Sequence, residues 1–68
     1  MTYSAKTFGK HFKEKRMKIG LSQDEIALRC DIDRSYVGRI ERGEVNISLE
    51  KLYCLAEVLG CEPKELLP

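Results

Sequence analysis

Three arginines, Arg34, Arg39 and Arg42, fall within nine residues, together with Ser35 and Tyr36. A guanidinium is a planar fork of donors that can engage two acceptors at once, including the O6 and N7 atoms of guanine. At helical spacing Arg34, Ser35, Gly38, Arg39 and Arg42 share one outward face, while Val37 and Ile40 point inward. That chemistry is recognition rather than bond making. No nucleophile–base pair, carboxylate dyad or phosphate-cradling loop accompanies it, so an enzyme is not expected. Cys30, Cys54 and Cys61 lack Cys-x-x-Cys spacing, and His11 stands alone, so neither a metal site nor a cofactor is expected.

The elements that must position the arginines are helical throughout, because helix-period patterns fill the chain and strand alternation is absent. A first helix over about residues 4–18 places Phe8, Phe12, Arg16 and Ile19 on one stripe, and Gly20 reads as its stop. Ser22-Gln23-Asp24-Glu25 is a capping box that opens a second helix, with Ile26, Ala27 and Cys30 inward. After a turn at Asp31-Ile32, the side chain of Asp33 is expected to cap a third helix that ends at Gly43. Ser48 caps a fourth helix over residues 49–59, with Leu52, Leu55, Ala56 and Leu59 inward and Gly60 closing it. Pro63 suits the first position of a fifth, short helix. The expectation is an all-α, compact five-helix fold, a single domain over residues 1–68. Tyr3 is assigned to a flexible or lightly packed terminus and His11 to the surface.

A 68-residue chain supports one domain with a marginal core and little room for an enclosed small-molecule pocket. Net charge is only +1, but it is polarised. Residues 1–18 carry +5, residues 19–33 carry −3, residues 34–43 carry +2 and residues 44–68 carry −3. A basic face can dominate local potential when the total is near zero. No apolar run approaches membrane-spanning length, and the polar, basic N-terminus is unlike a secretory signal. A cytoplasmic protein with reduced, packing cysteines is expected.

Two short helices meeting at a tight turn, with Ala27 allowing close crossing and arginines on the second helix, form a helix-turn-helix over about residues 22–42. In that arrangement the second helix lies in the DNA major groove, its N-terminal residues nearest the base edges. Arg34 and Ser35 sit there, and Arg39 follows about one turn on. Tyr36 is placed to pack on a thymine methyl or to hydrogen-bond a phosphate.

Leu21-Ser22-Gln23-Asp24-Glu25-Ile26-Ala27, then Ile32-Asp33-Arg34-Ser35-Tyr36-Val37 and Arg39-Ile40-Glu41-Arg42-Gly43, resemble the Cro and phage-repressor (XRE) helix-turn-helix family. Ile47-Ser48-Leu49-Glu50-Lys51-Leu52, with Leu55-Ala56 and Leu59-Gly60, extends the resemblance over about residues 8–67. Short members of this family include restriction–modification controller proteins and small phage regulators. The resemblance implies a lambda-repressor-like domain that regulates transcription in a bacterial or phage context. It implies base-reading roles for Arg34, Ser35, Tyr36 and Arg39. It implies DNA-backbone roles for Gln23, with Ser22 beside it, and for Arg16, Arg42 and Asn46. It also implies an ion pair between Arg16 and Glu41 that braces the first helix and brings Arg16 near a phosphate. Two positions depart from the family pattern: Asp31 stands where glycine is usual, and Gly38 interrupts the recognition helix.

Tyr53, Val58, Leu66 and Leu67 form a second apolar surface that either completes the monomer core or makes a two-fold dimer interface. A homodimer on a palindromic, inverted-repeat operator of double-stranded DNA follows from the second option. The competing expectation is an antitoxin-like protein-interaction module on the same fold.

Overall fold

A computed structural model describes residues 4–67, so the expectation for Tyr3 lies outside the described residues. Four α-helices and one closing turn follow in order: α1 Ala5–Ile19, α2 Gln23–Cys30, α3 Arg34–Glu41, α4 Leu49–Leu59 and a 3-10 turn Pro63–Glu65. The all-α expectation therefore holds among the described residues with four helices rather than five. The expected last helix is a single turn, started by Pro63 and closed by reciprocal bonds between Glu62 and Glu65.

Local chemistry sets most boundaries. Ser4 caps α1 by accepting from the Thr7 amide, and Gly20 ends it at φ 81°. Ser22 and Glu25 make the reciprocal capping box at α2. The Ser22 amide that donates to Glu25 holds that carboxyl below its ordinary range. Asp31 ends α2 in the left-handed region at φ 55°, so an aspartate does what glycine does more cheaply. Asp33 is the N-cap of α3, but its side chain accepts no capping bond. Its backbone carbonyl accepts from Tyr36 and Val37 instead.

The core joins all four helices and the final turn: Phe8, Phe12, Ile26, Ala27, Val37, Ile40, Leu52, Leu55, Ala56, Leu59 and Leu66 are buried. Ile19 does not extend the α1 stripe as expected. It is 45% exposed, because α1 ends there and Gly20 turns the chain away from the core. Leu66 is fully buried, a correction to its assignment to a dimer surface. His11 is half-buried rather than at the surface, its Nδ1 3.2 Å from the Leu66 carbonyl, and Lys15 pairs with Glu65. These contacts fasten the last turn to α1.

Gly9 sets how closely α1 meets α3. A Cβ there would lie 2.7 Å from the Glu41 carbonyl oxygen and against the Ile40 oxygen. These are backbone atoms at the end of α3, so no side chain can yield. No helix among the described residues is long and apolar enough to cross a membrane.

Candidate nucleic-acid interface

α2 and α3 meet around the buried Ile26, Ala27, Val37 and Ile40, which leaves the opposite side of α3 to solvent. Arg34, Ser35, Arg39 and Arg42 are exposed there. Gln23, Arg34, Ser35, Gly38 and Arg42 line one shallow depression between the start of α2 and α3. The sequence-derived face is thus largely assembled in one place.

Tyr36 is not on it. Its ring is half-buried against the core, with the Lys51 ammonium 5.7 Å from the ring centre. It lines a separate groove with Asp31, Ile32, Asp33 and Lys51. Tyr36 follows Ser35 by one residue, about 100° round the helix, which turns it toward α4 rather than outward. Asn46 is exposed in the loop between α3 and α4.

Beneath the face lies a polar hub. The Glu41 side chain is 5% exposed and that of Arg16 13%. Glu41 accepts from Nε and Nη2 of Arg16 and, at 2.9 Å, from Nε2 of Gln23. Arg16 also donates to the Leu21 carbonyl at 2.9 Å. One carboxylate therefore ties α1, the entry to α2 and the end of α3. The ion pair stands as the sequence suggested. Arg16, however, directs its donors inward to Glu41 and Leu21 rather than toward solvent. Gln23 is the hub member at the surface, held by Glu41 at the rim of the face.

The arginines have acidic neighbours that the sequence reading missed. Arg34 Nε is 3.0 Å from Asp24 Oδ1. Glu44 takes two nitrogens of Arg42, at 2.8 and 3.4 Å, and lies 3.9 Å from Arg39 Nε. Arg42 holds the Glu44 carboxyl below its ordinary range, and Glu44 raises the Arg42 guanidinium in turn. Only the two-residue spacing of Arg42 and Glu44 signalled any of this; Asp24 and Arg34 are ten residues apart and meet through the fold. Gly38 now has a role: it is buried, and a Cβ there would lie 3.1 Å from Arg42 Nη1, so it makes room for that guanidinium.

On the α4 side, Tyr53 is 61% and Leu67 38% exposed, with Leu49 also exposed at 72%. Val58 is half-buried against the core. No group of three or more metal-ligating side chains occurs among the described residues. Cys30 and Cys54 approach each other across α2 and α4, Sγ to Sγ 2.7 Å.

The helix-turn-helix family model HTH_3 matches residues 12–66. Control protein C.BamHI of Bacillus amyloliquefaciens is 39% identical over 61 residues, spanning 88% of this chain and 75% of that protein. Control protein C.MunI of a Mycoplasma species is 40% identical over 60 residues, spanning 87% of this chain and 81% of that protein. The crystal structure of the restriction–modification controller protein C.AhdI of Aeromonas hydrophila superposes with a TM-score of 0.87 at 45% identity. The match covers 91% of this chain and 94% of that one.

Proposed function

Because the chain belongs to the XRE-type helix-turn-helix family and is similar to restriction–modification controller proteins, we propose that it binds double-stranded DNA and regulates transcription. α3 enters the major groove, and Arg34, Ser35 and Arg39 read base edges there. Gln23, Ser22, Arg42 and Asn46 contact the backbone and set the register. The observation that carries this reading is the single solvent face formed by Arg34, Ser35, Arg39 and Arg42, with Gln23 fixed at its rim by a buried carboxylate.

One recognition helix spans only a few base pairs. The reading therefore includes a homodimer that places two α3 helices about 34 Å apart on an inverted repeat. Tyr53 and Leu67, with the exposed Leu49, supply the apolar contact. Val58 is half-buried against the core, and Leu66 belongs to the monomer core. The protein acts in the cytoplasm of a bacterial host.

Selection of bound duplexes from a random pool tests the proposal. The expected product is one inverted-repeat sequence, whose affinity falls steeply with salt. Recovery of no enriched sequence would overturn sequence-specific binding. Sedimentation showing only monomer on the enriched duplex and off it would overturn the dimer.

A further inference from the structure

The Asp24–Arg34 pair crosses from α2 to α3 at the edge of the reading face, and both side chains are largely exposed, 73% and 67%. An exposed pair of this kind adds little to stability. The part of the guanidinium that the carboxylate occupies has more consequence. Asp24 Oδ1 lies 3.0 Å from Nε, an ion pair without hydrogen-bond alignment. The two terminal nitrogens form the opposite end of the fork, and that end is left to engage O6 and N7 of a guanine. Glu44 treats Arg42 differently. It takes Nε and a terminal nitrogen together, which leaves Nη1 over Gly38.

A long side chain that must be ordered on binding loses rotamer freedom. One whose Nε already lies against a carboxylate loses less. The same carboxylate sits where phosphates approach, and it repels every duplex alike. These two effects have opposite signs in a binding experiment.

We propose that Asp24 is a positioning residue for base readout: it orients the terminal fork of Arg34, raising discrimination at one base pair while lowering affinity for DNA of any sequence. The proposal rests on the reading of α3 as the recognition helix.

The test uses the full chain, the enriched duplex, a random duplex, and the enriched duplex changed at the base pair where Arg34→Ala loses its preference. Asp24→Ala is expected to bind random DNA about two- to fivefold tighter at low salt, by loss of one repelling charge. Its preference for the enriched base pair is expected to fall roughly five- to tenfold, part of what a bidentate contact supplies. In an Arg34→Ala background the same substitution should leave base preference unchanged. Asp24→Asn, which keeps an acceptor without the charge, should lose the repulsion and retain more of the preference. Melting temperatures near that of the wild type separate these effects from damage to α2. Equal tightening on all three duplexes would overturn the inference and reduce Asp24 to a repelling charge. If Arg34→Ala itself leaves preference unchanged, the reading of Arg34 fails first, and that result is distinct from one in which only Asp24→Ala is silent.

Discussion

Replacing Glu41 by alanine should be among the most damaging single changes outside the apolar core. Three donors converge on its nearly buried carboxylate, from Nε and Nη2 of Arg16 and Nε2 of Gln23. Glu41→Ala leaves the Arg16 guanidinium with only the Leu21 carbonyl in a site where the side chain is 13% exposed. Removing one partner of a buried pair costs about 3–5 kcal/mol, and the partial access of Arg16 to water places this case near the lower value. A single small core seldom supplies more than about 3–5 kcal/mol in total. A loss of about 3 kcal/mol therefore populates the unfolded state heavily and lowers the melting temperature by roughly 12–24 °C. Urea unfolding followed by circular dichroism reads the change, with the midpoint falling and the slope unchanged. Arg16→Met combined with Glu41→Leu removes both charges at similar volume and should lie within about 1–2 kcal/mol of the wild type. The reasoning is refuted if Glu41→Ala costs less than about 1 kcal/mol, or if the double variant is as unstable as the single one.

Two glycines respond in opposite directions. Gly9→Ala forces a Cβ onto the Ile40 and Glu41 carbonyl oxygens and should destabilise the domain by about 2–3 kcal/mol in urea unfolding. Gly38→Ala meets only the flexible end of Arg42, so helix propensity wins. It should stabilise by up to about 1 kcal/mol while displacing Arg42 and weakening DNA binding in a filter or anisotropy assay. Cys30 supplies a pH test. Burial first, and the Cys54 thiol second, push its thiol from 9.0 up to about 12. The folded state then holds a proton that the unfolded state releases between those values, so stability falls as pH rises through that window. Urea midpoints measured across it should decline, and Cys30→Ala should flatten the decline.

Where a boundary depends on neighbours in the chain, the sequence announces it. Ser22 and Glu25 are three residues apart, and their reciprocal bonds follow from that spacing alone. Gly20 and Gly60 end helices for an equally local reason, the left-handed residue that closes each one. The face of α3 was legible because helical period alone separates Arg34, Ser35 and Arg39 from Val37 and Ile40. Reading failed where the deciding partner is remote or the angle fine. Tyr36 is one residue from Ser35, and only the position of α4 decides that its ring is half-buried against the core. Leu66 and Leu67 are chemically identical neighbours. The single turn Pro63–Glu65 sends one into the core and leaves the other 38% exposed. Gly9 looks like a weak point in α1 until the end of α3 is laid across it.

The same distinction bears on how the interface works. The proposed readers Arg34 and Arg39 are long and exposed, and each could adopt many rotamers. Acidic groups lie beside them: Asp24 on the preceding helix, which only the fold brings to Arg34, and Glu44 beyond Gly43, which lies 3.9 Å from Arg39 and pairs with Arg42 two residues before it. Gln23, the proposed backbone contact, is anchored in turn by Glu41, which also fixes α1 through Arg16. A substitution at Glu41 should therefore damage both stability and DNA affinity, the latter by a similar factor on every sequence because Gln23 is placed to meet the backbone. A substitution at Asp24 should leave stability nearly intact and change the choice of bases. These two variants separate the part of the acidic framework that builds the domain from the part that tunes its reading.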